Sequence, residues 1–110
     1  MAIWVTTADP DGLLEKIKDK IADKKIATWE CDKDGDFVHS ASSGQWRGKT
    51  WLRPAPEGRI LVFNAVKPKS GLKRSSYAVY HGRFIEMLIE HFYDDFVLAA
   101  ATPHLTDDEK

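Results

Sequence analysis

The stretch Gly44–Arg53, with the sequence GQWRGKTWLR, combines two tryptophans with three cationic side chains. Aromatic rings stack on unpaired bases, while Arg and Lys neutralise the phosphates beside them. We therefore predict a basic and aromatic surface that binds single-stranded RNA or DNA, or another polyanion. The predicted binding residues in this stretch and the segments after it are Arg47, Lys49, Trp51, Arg53, Arg59, Phe63, Lys67, Lys69, Lys73 and Arg74.

The surface depends on how two predicted strands pair. We expect Pro54–Gly58 to form a five-residue loop between them, because prolines and glycine interrupt strands. Arg53 would then lie opposite Arg59, with Trp51 opposite Leu61 and Lys49 opposite Phe63. Strand alternation assigns two faces. The predicted core face holds Trp46, Thr50, Leu52, Ile60, Val62 and Val66, and the predicted binding face holds Arg47, Lys49, Trp51, Arg53, Arg59, Leu61 and Phe63. The alternative is that Trp51, Leu61 and Phe63 form a second core layer beneath a helix, with the cations at its margin.

A basic loop, KPKSGLKRSS, precedes the second predicted helix, which Ser75 or Ser76 would cap. Free N–H groups at a helix start favour an anion, so a phosphate is one candidate ligand there. The stretch lacks the spacing of a nucleotide-binding glycine loop, and a solvated basic loop is the simpler interpretation.

Other chemistry-bearing residues give weaker patterns. Asp32, Asp34 and Asp36 alternate as in a calcium loop, but the required glycine and final carboxylate are misplaced. The four histidines lack the spacing of metal ligands, and Cys31 is expected to point into the core. We therefore predict no metal and no cofactor. His39 and Glu30, paired across a hairpin with help from Tyr80, His81 or Arg83, are the one arrangement that suggests metal-independent RNA cleavage.

The periodicity predicts a two-layer α+β domain, mainly antiparallel, with two helices and the order β-α-β-β-β-β-α-β. Asp9 and Pro10 predict the start of the first helix, whose apolar side follows Leu13, Leu14, Ile17 and Ile21. Asp34-Gly35 predicts a tight hairpin turn, and DFVLAAATP predicts a closing strand. Gly82 interrupts the second helix pattern, which predicts a kink, a close contact or a later start.

Length and charge limit the classes of protein. The 110 residues fit one domain, expected over 1–103, followed by a flexible acidic tail over 104–110. The formal net charge of −1 hides a basic block, because residues 44–83 contain nine Lys/Arg and one acid. Such a block attracts anions. No run is apolar enough to span a bilayer, no basic leader is present and Cys31 stands alone, so we expect a cytoplasmic protein that does not enter membranes.

Three functions from different classes follow. The first is a nucleic-acid or polyanion binding module that uses the basic and aromatic face. The alternative is a protein-interaction or homodimerisation module without catalytic activity, because the same apolar residues can bury themselves in a partner. The third is a metal-independent ribonuclease. With no catalytic residue assigned, a non-enzymatic role is favoured.

Overall fold

The computed structural model describes residues 2–40, 50–69 and 71–104. It contains the predicted element order, which confirms the α+β fold. The elements are β1 Ala2–Thr6, α1 Pro10–Ala22, β2 Trp29–Cys31, β3 Phe37–His39, β4 Trp51–Glu57, β5 Ile60–Val66, α2 Arg74–Phe92 and β6 Leu98–Ala101.

All strand pairs are antiparallel, and the sheet order is β2-β3-β4-β5-β1-β6. The first strand along the chain therefore lies between the fifth and the last. β1 aligns Ile3 with Phe63 of β5 and with Ala101 of β6. β1 is therefore an interior strand of the sheet, and its Ile3 and Val5 side is buried.

Helix α1 begins as its sequence predicts. The Asp9 carboxylate accepts a hydrogen bond from the Gly12 N–H at 3.0 Å, and Pro10 occupies the first turn, where its missing N–H leaves no intrahelical bond unmade. Leu13 and Ile17 are buried, whereas Leu14 and Ile21 are half-buried. The helix thus packs through the predicted side.

Both helices cover the same face of the sheet. Ile17 of α1 and Phe84 of α2 belong to one buried cluster with the strand residues Leu52 and Phe63. Phe84 is its centre, because its ring lies 4.5 Å from that of Phe63 and 4.9 Å from that of Trp29, between centroids. Edge-to-face and tilted contacts of this kind stabilise a core beyond the apolar area they bury. The opposite face of the sheet is not covered by either helix.

The first hairpin forms where Asp34-Gly35 predicts it. Gly35 has φ +85°, a backbone conformation that costs side-chain-bearing residues free energy. The Asp32 carboxylate accepts hydrogen bonds from the N–H groups of Asp34 and Asp36, both at 2.9 Å. Asp32 is therefore occupied in shaping the turn.

The predicted loop of the second hairpin is wrong. Pro54 and Pro56 lie within β4, and the two strands are joined by Gly58 and Arg59 alone, with Gly58 at φ +56°. β3 pairs with β4 only at Leu52, so β4 has no described strand on that side from Arg53 onward. A proline there removes no hydrogen bond from a strand pair on that side.

Shortening the loop changes the pairing of β4 with β5. Arg53 lies opposite Asn64 instead of Arg59, and Trp51 lies opposite Val66 instead of Leu61. Both partners differ from the predicted ones by five residues. Because five is an odd number, every β5 side chain lies on the face opposite to the predicted one. Leu61 and Phe63 are fully buried under the helices, while Ile60 is exposed.

Helix α2 starts two or three residues earlier than predicted. Its N-cap is Lys73, whose side chain makes no capping hydrogen bond, so the predicted cap at Ser75 or Ser76 is wrong. The helix continues through Gly82 without a break, and a Cβ at that position would meet no atom within 4 Å. Neither described helix is long and apolar enough to cross a bilayer.

Candidate interaction surface

The predicted binding face is divided between the two sides of the sheet. Phe63 and Leu61 are fully buried on the helix-covered side, where the Phe63 ring also contacts that of Phe37 at 5.8 Å. The prediction of Phe63 as an exposed stacking platform is therefore wrong. The physical reason is the pairing of β4 with β5, which differs from the predicted pairing by an odd number of residues. It places Leu61 and Phe63 on the side of the sheet that the helices cover.

The side of the sheet away from the helices is called here the open face. Alternation along the strands, combined with the register, assigns its residues. They are Glu30 of β2, Val38 of β3, Ala2, Trp4 and Thr6 of β1, Trp51, Arg53, Ala55 and Glu57 of β4, Ile60, Val62, Asn64 and Val66 of β5, and Leu98 and Ala100 of β6.

Strands β4, β5, β1 and β6 carry an apolar patch on the open face, composed of Trp4, Ala55, Ile60, Val62, Leu98 and Ala100. The register places Trp4 between Val62 and Ala100, and places Thr6 between Ile60 and Leu98 in the neighbouring row. Trp4 is 48% exposed, Ile60 38% and Leu98 58%. Scattered exposed hydrophobic residues are common, but three large ones on adjacent strands of one face form a continuous surface.

Trp51 also lies on the open face, but it is only half-exposed and packs against the core cluster. The pairing of Phe37 with Leu52, continued by one residue, places Val38 beside Trp51. This neighbour explains why Val38 is 8% exposed although it faces away from the helices. Trp51 thus covers Val38 and retains part of its ring surface for another contact.

Arg53 already has a partner on the open face. Its Nε and Nη2 donate to the two carboxylate oxygens of Asp36 at 3.0 and 2.9 Å. The Asp36 side chain is 6% exposed, and its hydrogen bond and charge raise the pKa of Arg53. A two-bond fork of this type fixes both side chains, so Arg53 is less available to a phosphate than the sequence suggests.

The remaining predicted cations do not form one surface. Arg59 lies in the turn at one end of β5, and Lys67 follows the other end, about 27 Å away at the usual rise of an antiparallel strand. Arg47 and Lys49 lie outside the described residues, as does Trp46, which was assigned to the core face.

Lys67, Lys69 and Lys73 lie in the β5–α2 connection and Arg74 is the first residue of α2; these four cations form what we call the basic end. All four are exposed, and none forms an ion pair with another described residue. Trp51 lies at the same end of the sheet, because it pairs with Val66, the residue before Lys67. Four of the ten predicted binding residues thus follow the end of β5 at which Trp51 lies.

The proposed acid-base pair does not form. His39 pairs with Trp29 and Glu30 with Val38, so the two side chains lie on opposite faces. His39 is 6% exposed, with its ring 5.1 Å from that of Trp29, and His81 is 3% exposed, with Nδ1 2.9 Å from the Tyr77 carbonyl oxygen. A substrate phosphate would not reach these buried imidazoles. Their burial, together with the separation of His39 from Glu30, removes the basis of the ribonuclease hypothesis.

Burial also decides the chemistry of the other reactive groups. Burial lowers the pKa of His39, with a further lowering by the charge of Arg83 and an opposing effect of Glu86. Desolvation raises the pKa of the Cys31 thiol, which makes the nucleophilic thiolate scarcer. Across residues 2–40, 50–69 and 71–104, no three His, Cys, Asp or Glu side chains come together in a way that would hold a metal ion.

Trp4 is the site residue that sequence reasoning missed. It stands between Ile3 and Val5, so the run is apolar on both faces and its alternation does not reveal which face is exposed. The available signal was that a strand with both faces apolar requires cover on both sides. The two helices supply cover for only one.

Comparison with known proteins adds no functional information. No family model matches the chain, and no similar curated protein or solved structure was found.

Proposed function

We propose that this protein is a non-catalytic protein-interaction module whose contact surface is the apolar patch of the open face. One observation carries the proposal: Trp4, 48% exposed, stands on an interior strand of the open face and is flanked by Val62 and Ala100. Tryptophan is enriched at the buried centres of interfaces and often dominates their binding energy. The patch contains no charged side chain, so covering it desolvates no charge.

Site-specific photocrosslinking tests this proposal. A benzophenone amino acid replaces Trp4 in one variant and Tyr93, an aromatic residue 68% exposed at the end of α2, in the control. Irradiation in cells should give protein adducts through position 4 and few through position 93. Equal labelling at both positions, or no adduct at position 4 in a folded variant, would contradict the proposal.

The basic end supports a second candidate function, polyanion binding. The observation that favours it is that four exposed cations lie between the end of β5, where Trp51 pairs with Val66, and the first residue of α2, whose N-cap makes no side-chain hydrogen bond. Cations next to an aromatic ring suit single-stranded nucleic acid, and free helix N–H groups add an anion-favouring field. A low-salt anisotropy titration with a labelled single-stranded oligonucleotide tests it, and absence of binding ends this candidate.

A further inference from the structure

We infer that the open face is covered by a second copy of this chain, packed sheet against sheet about a two-fold axis. The inference rests on the proposed function, because both use the apolar patch, and it names the partner. An isologous contact requires one surface that can meet an identical copy of itself. The size and the charge of the open face both meet that requirement.

The size of the open face agrees with what a stable dimer buries. The six strands contain 29 residues, and each residue occupies about 16 Å² at the usual rise and strand spacing, which gives roughly 470 Å² before side-chain relief. A standard interface buries about 800 Å² on each partner. Side-chain relief raises the accessible area above the flat value, so one face-to-face contact approaches the size of a standard interface.

The charge of the open face does not oppose an identical partner. Arg53 and Asp36 neutralise each other within one copy. The patch residues Trp4, Ile60, Val62, Leu98, Ala55 and Ala100 bring no charge to the centre. Glu57 is at the end of β4, next to the turn, and Glu30 is on the edge strand β2; both are exposed, so water can reach them. Two copies can therefore meet without burying like charges, whereas a strongly charged unlike partner would find no complement in the patch.

Pairing of β6 edge to edge is the competing way for two copies to associate. β6 is the last strand of the sheet and is apolar throughout, which makes it a template for another strand. Leu98 takes part in both arrangements, since it lies on β6 and on the open face. Ile60 distinguishes them, because it lies on the open face but two strands away from the β6 edge.

Sedimentation velocity over an about hundredfold concentration range tests the inference. The chain should change from 12.5 kDa to twice that mass as concentration rises. Trp4→Ala and Ile60→Glu should each weaken the dimer at least about tenfold, as expected of central interface residues. Ile89→Glu is the matched control, because Ile89 is 57% exposed on helix α2 and should leave dimerisation unchanged. Circular dichroism of each variant confirms that it is folded.

Three results would overturn the inference. A strict monomer at every concentration removes the second copy as partner. Loss of the dimer in Leu98→Glu but not in Ile60→Glu shows edge pairing instead of face packing. Equal loss in Ile60→Glu and Ile89→Glu shows that the contact is not specific to the open face. If the chain is monomeric while position 4 still crosslinks to an unlike protein in cells, self-association fails and the proposed interaction function stands.

Discussion

At the residue scale, Phe63 shows how one buried ring decides between two functions. The same side chain is a stacking platform if exposed and a core residue if buried, and the structure places it between Phe37 and Phe84. Its burial takes away half of the predicted aromatic surface. Trp4, which carried no predicted role, becomes the most exposed tryptophan among the described residues.

Phe63→Ala should lower the free energy of unfolding by about 3–5 kcal/mol, because it leaves a cavity among rings that cannot collapse into it. Urea denaturation followed by circular dichroism measures the change. Val97→Ala is the control, since Val97 is 85% exposed and its truncation should change stability by less than about 0.5 kcal/mol. A Phe63→Ala variant as stable as the control would place the ring outside the core.

His39 should make stability fall as the solution becomes more acidic. Its folded-state pKa lies below the usual value of 6.5, so the unfolded chain binds the proton more readily. The contribution of neutral His39 is complete above that usual value and decreases as pH falls from it toward the folded-state pKa.

Urea midpoints at about pH 7.5 and about pH 5.5 measure this effect when wild type is compared with His39→Gln. Groups other than His39 contribute similarly to both proteins, so the difference between their pH dependences reports His39. The wild type should lose more stability than the variant between the two pH values. Equal losses would show that His39 titrates normally and is not desolvated by the core.

At the scale of elements, local signals in the sequence correctly predicted several boundaries. Asp9 and Pro10 start a helix by satisfying or removing its first N–H groups, and Asp34-Gly35 supports a tight turn through positive φ. These effects act within a few residues, so no tertiary information is needed. The element order and the fold follow from them together with apolar periodicity.

The register of the second hairpin was not predictable in this way. Pro54 and Pro56 normally mark the end of a strand, and they are tolerated in β4 because β3 pairs only as far as Leu52. That condition depends on the length of a different hairpin, which the local sequence does not report. Since a strand has a period of two, the resulting odd shift assigned every β5 residue, Phe63 included, to the wrong face. The basic end was predictable because its cations lie within eight residues of the chain.

Alanine substitution of Gly58 and Gly82 tests whether the turn between β4 and β5 requires glycine and whether helix α2 does not. Gly58→Ala should lower stability by about 1 kcal/mol, because its φ of +56° places the new Cβ too close to the following carbonyl. Gly82→Ala should raise stability by about 0.5–1 kcal/mol, because the position is helical, exposed and free of steric contact. Thermal and urea unfolding of the pair measure both signs. Stabilisation by Gly58→Ala would contradict the two-residue turn.

At the scale of the whole molecule, the proposed contacts occupy different parts of the surface and rely on different forces. The apolar patch has no charge, whereas the basic end lies within a block of nine cations and one acid in a chain of net charge −1. Burial of apolar surface is little affected by moderate salt, but phosphate binding releases counterions and weakens steeply as salt rises. Salt therefore separates the two candidate functions.

Oligonucleotide affinity should fall with salt with a log-log slope of about −3, the value for four phosphate contacts on a single strand, while the dimer constant stays nearly constant. The decisive variant replaces Lys67, Lys69, Lys73 and Arg74 by Gln. Its matched control replaces Lys18, Lys24, Lys25 and Lys33 by Gln, which removes the same charge elsewhere in the molecule. Anisotropy titrations should show loss of affinity and of most of the slope only in the first variant. Equal weakening in both would mean that total charge governs binding, and the basic end would then have no distinct role.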